Sequence, residues 1–315
     1  MCYYPYFRGR QNELIVIREN AEVLASARFV PIIEPVKSAT NGLLRALTEI
    51  SRAKSGHAIV IANPGIGDFQ DNNSALESFI KDAAEPEHVS IGIRVSPSSN
   101  VVQIARLCGE WSNFKLAIIH CGFPDGSQLA SALKDLASVT RHVFIDGRCS
   151  KLYMRHFREQ TRVLVRDGFK KQRTNRDYPA IEPFSDLHVT FGDEGMAAFG
   201  DFLIAGDDYQ ESGGAAYAVA IHLTSIETDK DDEMYVRHFV SDRTDTPDDP
   251  AGKFAEALGK LAKEVERQGS PIRGTRAVEE FLELHKRGHF PGLGYVKKLS
   301  MQHHVETLAN YFGRS

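Results

Sequence analysis

Six times between residues 29 and 167 an apolar, β-branched run stops abruptly at a polar or charged residue. Residues 29–33 stop at Glu34, 58–62 at Asn63 and 89–93 at Arg94. Residues 116–119 stop at His120, 143–145 at Asp146, and 163–165 at Arg166 and Asp167. Successive runs begin about 20–30 residues apart, and helical character fills most of the gaps, which is the rhythm of βα units. Runs that are apolar throughout, rather than alternating, fit strands buried on both faces of a parallel sheet. In such folds ligands gather at the C-terminal ends of the strands. The polar residues that end the runs are therefore the first candidates for a site.

The aromatic stretch 3–7, ending at Arg8, reads as a strand ahead of these six, so seven units are counted by Val165. Helical spacing follows it: Leu14, Ile17, Ala21, Leu24 and Ala25 are amphipathic, as are Leu43, Leu44, Leu47 and Ile50. After Val165 the beat breaks. Residues 170–186 read as a cation-rich loop carrying Pro179 and Pro183, and the end of 193–204 is a candidate eighth strand. Residues 217–226 and 234–240 flank an acidic turn and read as an antiparallel hairpin. Residues 252–268, 275–287 and 302–311 read as helices.

The expected fold is α/β: a (β/α)8 TIM-barrel-like domain spanning 1–315, with the barrel core at 1–206, an inserted β-hairpin at 207–245 and C-terminal helices at 251–315. An open doubly wound parallel sheet is the alternative. The two differ in whether the stretch at Tyr3 pairs with the late strands and closes the ring.

At 315 residues, 42% hydrophobic and 25% charged, the chain has the size and composition of one decorated globular barrel. Its net charge of −4 provides no general attraction to nucleic acid or membrane. No apolar run approaches the ~20 residues that cross a bilayer, and residues 1–6 lack a signal-peptide pattern. Cys2, Cys108, Cys121 and Cys149 form no CxxC pair. A cytoplasmic location with reduced thiols and no membrane partner is expected.

Three carboxylates, Glu34, Asp146 and Asp201, could meet at one mouth and hold Mg²⁺ or Mn²⁺, which prefer oxygen ligands. The plainer reading is a strand-ending turn at Asp146-Gly147 and a loop acid at Asp201. Glu34, His120 and Asp146 are the candidates for acid/base chemistry, set against a hydrogen-bonded structural histidine at 120. Arg8, Arg94, Arg148 and Arg166 fall at or just past strand ends, where guanidinium groups grip phosphate or carboxylate bidentately. Lys37 and Asn63 join this anion-binding set, Asn63 opening the glycine-containing loop 63–68. The same arginines could instead neutralise Glu34, Asp146 and Asp167 in ion-pair networks. His120 and Cys121 are adjacent on one strand and point to opposite faces, which argues against Cys121 as a nucleophile activated by His120. Lys170, Lys171, Arg173 and Arg176 form the one dense basic segment, suited to a phosphate backbone or an acidic partner, or simply a solvated loop.

The stretch Tyr3-Tyr4-Pro5-Tyr6-Phe7-Arg8-Gly9-Arg10-Gln11-Asn12-Glu13-Leu14, followed by Pro31-Ile32-Ile33-Glu34-Pro35-Val36-Lys37, resembles an uncharacterised bacterial family. That family is related to the phage-type "beta protein" family, whose members begin with a similar P-x-x-R/K-x-x-Q-x-E segment. Phe184-Ser185-Asp186, Phe199-Gly200-Asp201-Phe202, residues 217–222 and His303-His304 are similar to it as well. The resemblance implies a TIM-barrel-like fold. It also implies a partner, a PD-(D/E)XK nuclease-like protein encoded nearby, in phage-related or defence settings, with nucleic acid reached through that partner. It supplies no catalytic residues.

Two readings stay open. One is an accessory barrel that works with a nuclease-like partner and binds an anionic, phosphate-bearing ligand or partner at the strand C-terminal face. The other is a metal-assisted phosphoester hydrolase or nucleotide-processing enzyme using Glu34, Asp146 and His120.

Overall fold

Each of the six apolar runs forms a strand, because a segment that is apolar on both sides is stable only when both faces are covered. The computed structural model describes residues 3–209 and 217–313. Met1, Cys2, residues 210–216 of the hairpin segment and residues 314–315 lie outside the described residues. The chain divides into two units, one comprising Met1–Arg166 and Thr190–Asp201, the other Asp167–Val189 and Phe202–Ser315.

The first unit begins with β1 (Tyr6–Phe7), β2 (Ile32–Ile33), β3 (Ala58–Ile61), β4 (Val89–Val95), β5 (Leu116–His120), β6 (Val139–Ile145) and β7 (Arg162–Arg166). The next strand, β8 (Ile181–Ser185), belongs to the second unit, and β9 (Ala198–Asp201) returns to the first. The eight strands of the first unit lie side by side in the order β1-β2-β3-β4-β5-β6-β7-β9, and every pairing is parallel. Tyr3 then bridges Phe199 in parallel, and the Tyr4 N–H donates to the Phe199 carbonyl at 2.9 Å. The ring is thus nearly closed, a barrel of the (β/α)8 kind, and the open doubly wound sheet is set aside.

Closure has a local cause. The Tyr3 hydroxyl donates to Asp201 Oδ1 at 2.6 Å, and its ring packs against Phe29 and Phe199 with centroids 5.0 and 5.1 Å away. A Cβ on Gly200 would lie 2.2 Å from the Tyr4 carbonyl oxygen, so only glycine lets these two backbones approach.

Helices fill the crossovers: α1 (Gln11–Glu19), α2 (Ala21–Ser26), α3 (Asn41–Arg52), α4 (Ser74–Ala83), α5 (Val101–Glu110), α6 (Gly126–Leu133) and α7 (Lys151–Met154). Their starts are chemically marked. Asn100, Asp125 and Ser150 each place a side-chain oxygen on the free N–H groups of α5, α6 and α7. Their apolar stripes are buried, as with Leu43, Ala46, Leu47 and Ile50 of α3.

In the second unit the loop reading of 170–186 needs correction, since it contains β8. This strand pairs antiparallel with β11 (Glu233–Val240), which pairs in turn with β10 (Ala220–Glu227). Pro183 lacks an N–H donor, yet β8 sits at the edge of the order β10-β11-β8, where a proline is tolerated. A short helix, α8 (Leu187–Thr190), follows β8. Three longer helices come later: α9 (Pro250–Glu266), α10 (Arg276–Arg287) and α11 (Leu293–Phe312). Val219, Ile221, Leu223, Phe254, Leu258, Phe281 and Leu299 belong to one apolar core there. Helix α11 starts well before the expected residue 302 because much of its length, polar residues included, is buried, so its sequence carries no single apolar stripe. His303 and His304 are structural within it: His303 bonds Thr275 Oγ1 at 2.9 Å and the Thr224 carbonyl at 2.8 Å, and His304 bonds Thr224 Oγ1 at 3.0 Å. Among the described residues no helix is long and apolar enough to cross a membrane.

Candidate anion site at the barrel mouth

Successive side chains along a strand point to opposite faces, so register and parity sort the strand-end residues into two sets. Tyr6 is level with Ile32, Ile32 with Ile59, Ile61 with Gly92 and Arg94 with Ile119. Counting along each strand puts Tyr6, Arg8, Glu34, Arg94 and Cys121 on the face that lines the ring. His120, level with Phe144, falls on the other face, towards the helices.

The inner set converges. Glu34 is 1% exposed, and its Oε2 accepts from the Tyr6 hydroxyl at 2.8 Å and from Arg8 Nη1. Its Oε1 accepts from the Gly65 N–H at 2.9 Å and lies 4.0 Å from Arg94 Nε. Asn63 fastens two strand ends together, donating to the Arg94 carbonyl and accepting from the Arg94 N–H, both at 2.8 Å. A Cβ on Gly65 would lie 2.3 Å from Arg94 Cζ and Nη1, so the glycine leaves room for the guanidinium. The Arg94 side chain is 21% exposed and makes no hydrogen bond among the described residues; its one charged neighbour is Glu34.

Burial pushes the Tyr6 hydroxyl well above its ordinary value, and the Glu34 charge pushes the same way. Cys121 is buried, and its thiol is pushed up to about 11 by desolvation despite the charges of Arg94, Arg148 and Arg8 nearby. Arg148 follows β6, and its charge is felt at Cys121. Lys37 is exposed and pairs with Asp68 at 3.5 Å, while Ser38 donates to Asp68 through its N–H at 2.8 Å and its hydroxyl at 3.0 Å. These bonds tie the loop after β2 to the loop after β3.

The remaining candidates lie elsewhere. His120 sits in an aromatic pack with Phe144, Tyr153 and Phe157, its Nδ1 2.7 Å from the Tyr153 oxygen and its Nε2 2.9 Å from His142 Nδ1. Burial, with the neighbouring imidazole second, holds His120 well below the ordinary histidine value, and burial lowers His142 to about 4. Asp146 and Arg166 are paired at 2.6 Å, and Arg166 also binds Glu194 at 2.5 Å. Asp201 accepts from Tyr3. Glu34, Asp146 and Asp201 are therefore not brought together: the first faces into the ring, and each has its own partner. No group of three or more His, Cys, Asp or Glu among the described residues is arranged to hold a metal ion.

The basic segment belongs to the second unit and is partly neutralised there. Lys170 lies 3.9 Å from Glu182, Lys171 pairs with Asp208 at 2.7 Å, and Arg176 lies 3.7 Å from Asp177. Arg173 has no ion pair among the described residues. Tyr6 is absent from the expected site, while Gly65 enters it only as part of the loop 63–68 and Cys121 only as a nucleophile argued against. Parity alone would have found Tyr6 and Cys121, since each stands on the same face as a named candidate, Arg8 or Arg94.

No protein-family model matches the chain, and no curated protein matches it. Among solved structures it is similar to the enoyl reductase domain of MlnA from the macrolactin biosynthesis cluster from Bacillus amyloliquefaciens, at 9% identity. The match has a TM-score of 0.37 and covers 99% of this chain and 81% of that one, a likeness too loose to inform either fold or site.

Proposed function

We propose that the barrel mouth binds an anionic group, phosphate or carboxylate, and that the chain is an accessory barrel working with a nuclease-like partner in a phage-defence or mobile-element setting. The observation that carries the first part is Arg94. Its planar fork of donors stands at the mouth with no hydrogen-bond partner among the described residues, beside a Glu34 carboxylate already occupied by Tyr6, Arg8 and Gly65. A guanidinium held that way grips a bidentate oxyanion well. Arg148 adds positive charge, and Asn63 holds the Arg94 backbone in place. The partner rests on the family resemblance alone, carried by the N-terminal segment and by residues 184–186, 199–202, 217–222 and 303–304. A metal-assisted hydrolase is less well supported, because its carboxylates face different ways.

Titration calorimetry with inorganic phosphate and pyrophosphate tests the site. Wild type is expected to bind, and Arg94→Ala to bind at least about tenfold more weakly, the value of one charge-assisted hydrogen bond. Equal binding by both proteins, or none by wild type, sinks the reading. Co-expression with the neighbouring gene product tests the partner: a complex should survive purification, and its absence removes that half.

A further inference from the structure

Outside the mouth, one cleft on the first unit has a composition that the barrel does not need. It has a volume of about 480 Å³ and is lined by the cations Lys151, Arg155, Arg158 and Arg162, the carboxylates Asp193 and Glu194, and the methionines Met154 and Met196. Lys151, Arg155 and Arg158 are spaced i, i+4 and i+7 through α7 and the tight helical turn Arg155–Phe157 that continues it, so they form one stripe. All three are exposed, and none of their side chains has an ion pair or hydrogen bond among the described residues. Arg162 donates only to the Gly195 carbonyl. Stacking like charges at helical spacing weakens a helix. No ion pair among the described residues offsets that cost, Glu194 being paired with Arg166.

We propose that this cleft is a docking groove for an acidic, leucine- or methionine-bearing segment of a partner protein. Charge complementarity selects an acidic occupant. The two methionines give it a deformable apolar floor of the kind that accepts varied side chains. The two carboxylates of the lining select a peptide over a nucleic acid. Asp193 and Glu194 would repel a continuous phosphate backbone, whereas a peptide can turn its N–H groups or a cation towards them. The groove shares no residue with the mouth, so it stands whether or not the mouth binds anions.

The test is fluorescence anisotropy with a labelled peptide of interspersed glutamate and leucine, run beside a labelled single-stranded oligonucleotide. The full chain is compared with the triple variant Lys151→Glu, Arg155→Glu, Arg158→Glu and with a control that reverses Lys170, Lys171, Arg173 and Arg176. Far-UV circular dichroism and thermal unfolding of each variant show that the fold is intact. The expected result is that the groove variant weakens peptide binding at least about tenfold while the control changes it less than about twofold. Four results overturn the proposal: no peptide binding by the wild type, equal loss in the control, tighter binding of the oligonucleotide, or self-association that the groove reversal abolishes, since then a second copy fills the groove.

Discussion

Gly65 leaves room for the guanidinium of Arg94 while its N–H donates to Glu34 at 2.9 Å, so one backbone position serves both charges of the mouth. A methyl group there would meet Arg94 atoms at 2.3 Å, and the far end of a flexible side chain can swing away cheaply. Gly65→Ala is therefore expected to cost less than about 1 kcal/mol of stability yet weaken phosphate binding about tenfold, because the donors are misaimed. Chemical denaturation and calorimetry on the same sample check both halves.

Glu34→Gln should move stability and affinity in opposite directions. The substitution removes the carboxylate charge that pairs with the largely buried Arg8 guanidinium, which costs about 3 kcal/mol or more. It also frees Arg94 from a competing carboxylate 4.0 Å away, so an added phosphate should bind more tightly. Were Glu34 a metal ligand or a general base, the variant would lose function with no gain in anion affinity. Urea unfolding with and without phosphate reads both quantities.

The barrel was legible because its signal is a repeated one: long apolar runs at regular spacing have few other folded solutions. The mouth was legible only in part. Naming the last polar residue of each run treats all strand ends alike, yet the pleat sends alternate residues to opposite faces. Arg94 and His120 end neighbouring strands and point to different sides of the sheet. Taking the last polar residue of a run names Glu34 and Arg94, which share a face, and His120, which does not, whereas Cys121, weighed only as a nucleophile, stands on the face of the first two. The second unit was harder still. Strand β8 holds a proline and α11 is buried with its polar residues, so neither follows the periodic pattern on which the reading depends.

His120 and His142 make the first unit sensitive to mild acid. In the unfolded chain both protonate near the ordinary value of 6.5, whereas in the fold burial holds His142 down to about 4 and His120 well below its ordinary value. The unfolded state thus binds more protons between pH 6.5 and 4. The contribution is fully present above pH 6.5 and is lost as pH falls through that window, by up to about 1.4 kcal/mol per pH unit for each histidine. Replacing His142 with glutamine should flatten the slope of unfolding free energy against pH between 6.5 and 4. An unchanged slope would mean that the imidazole does not stay neutral in the fold.

The seam between β9 and the chain at Tyr3 and Tyr4 is the weakest link of the ring, because it is a single bridge where the other pairings are ladders. Two substitutions separate its two supports. Tyr3→Phe keeps the ring contacts with Phe29 and Phe199 but removes the donor to Asp201, leaving a buried carboxylate short of one hydrogen bond, at a cost of about 1–3 kcal/mol. Gly200→Ala drives a Cβ into the Tyr4 carbonyl, which is backbone and cannot swing aside, so β9 must part from the stretch before β1 at a cost of about 2–3 kcal/mol or more. Hydrogen exchange tells them apart. The Tyr4 amide, which donates to Phe199 at 2.9 Å, should exchange much faster in Gly200→Ala while the amides within β4 and β5 keep their protection. In Tyr3→Phe it should follow global stability only. If the Tyr4 amide is equally protected in Gly200→Ala and wild type, the ring does not close through this bridge.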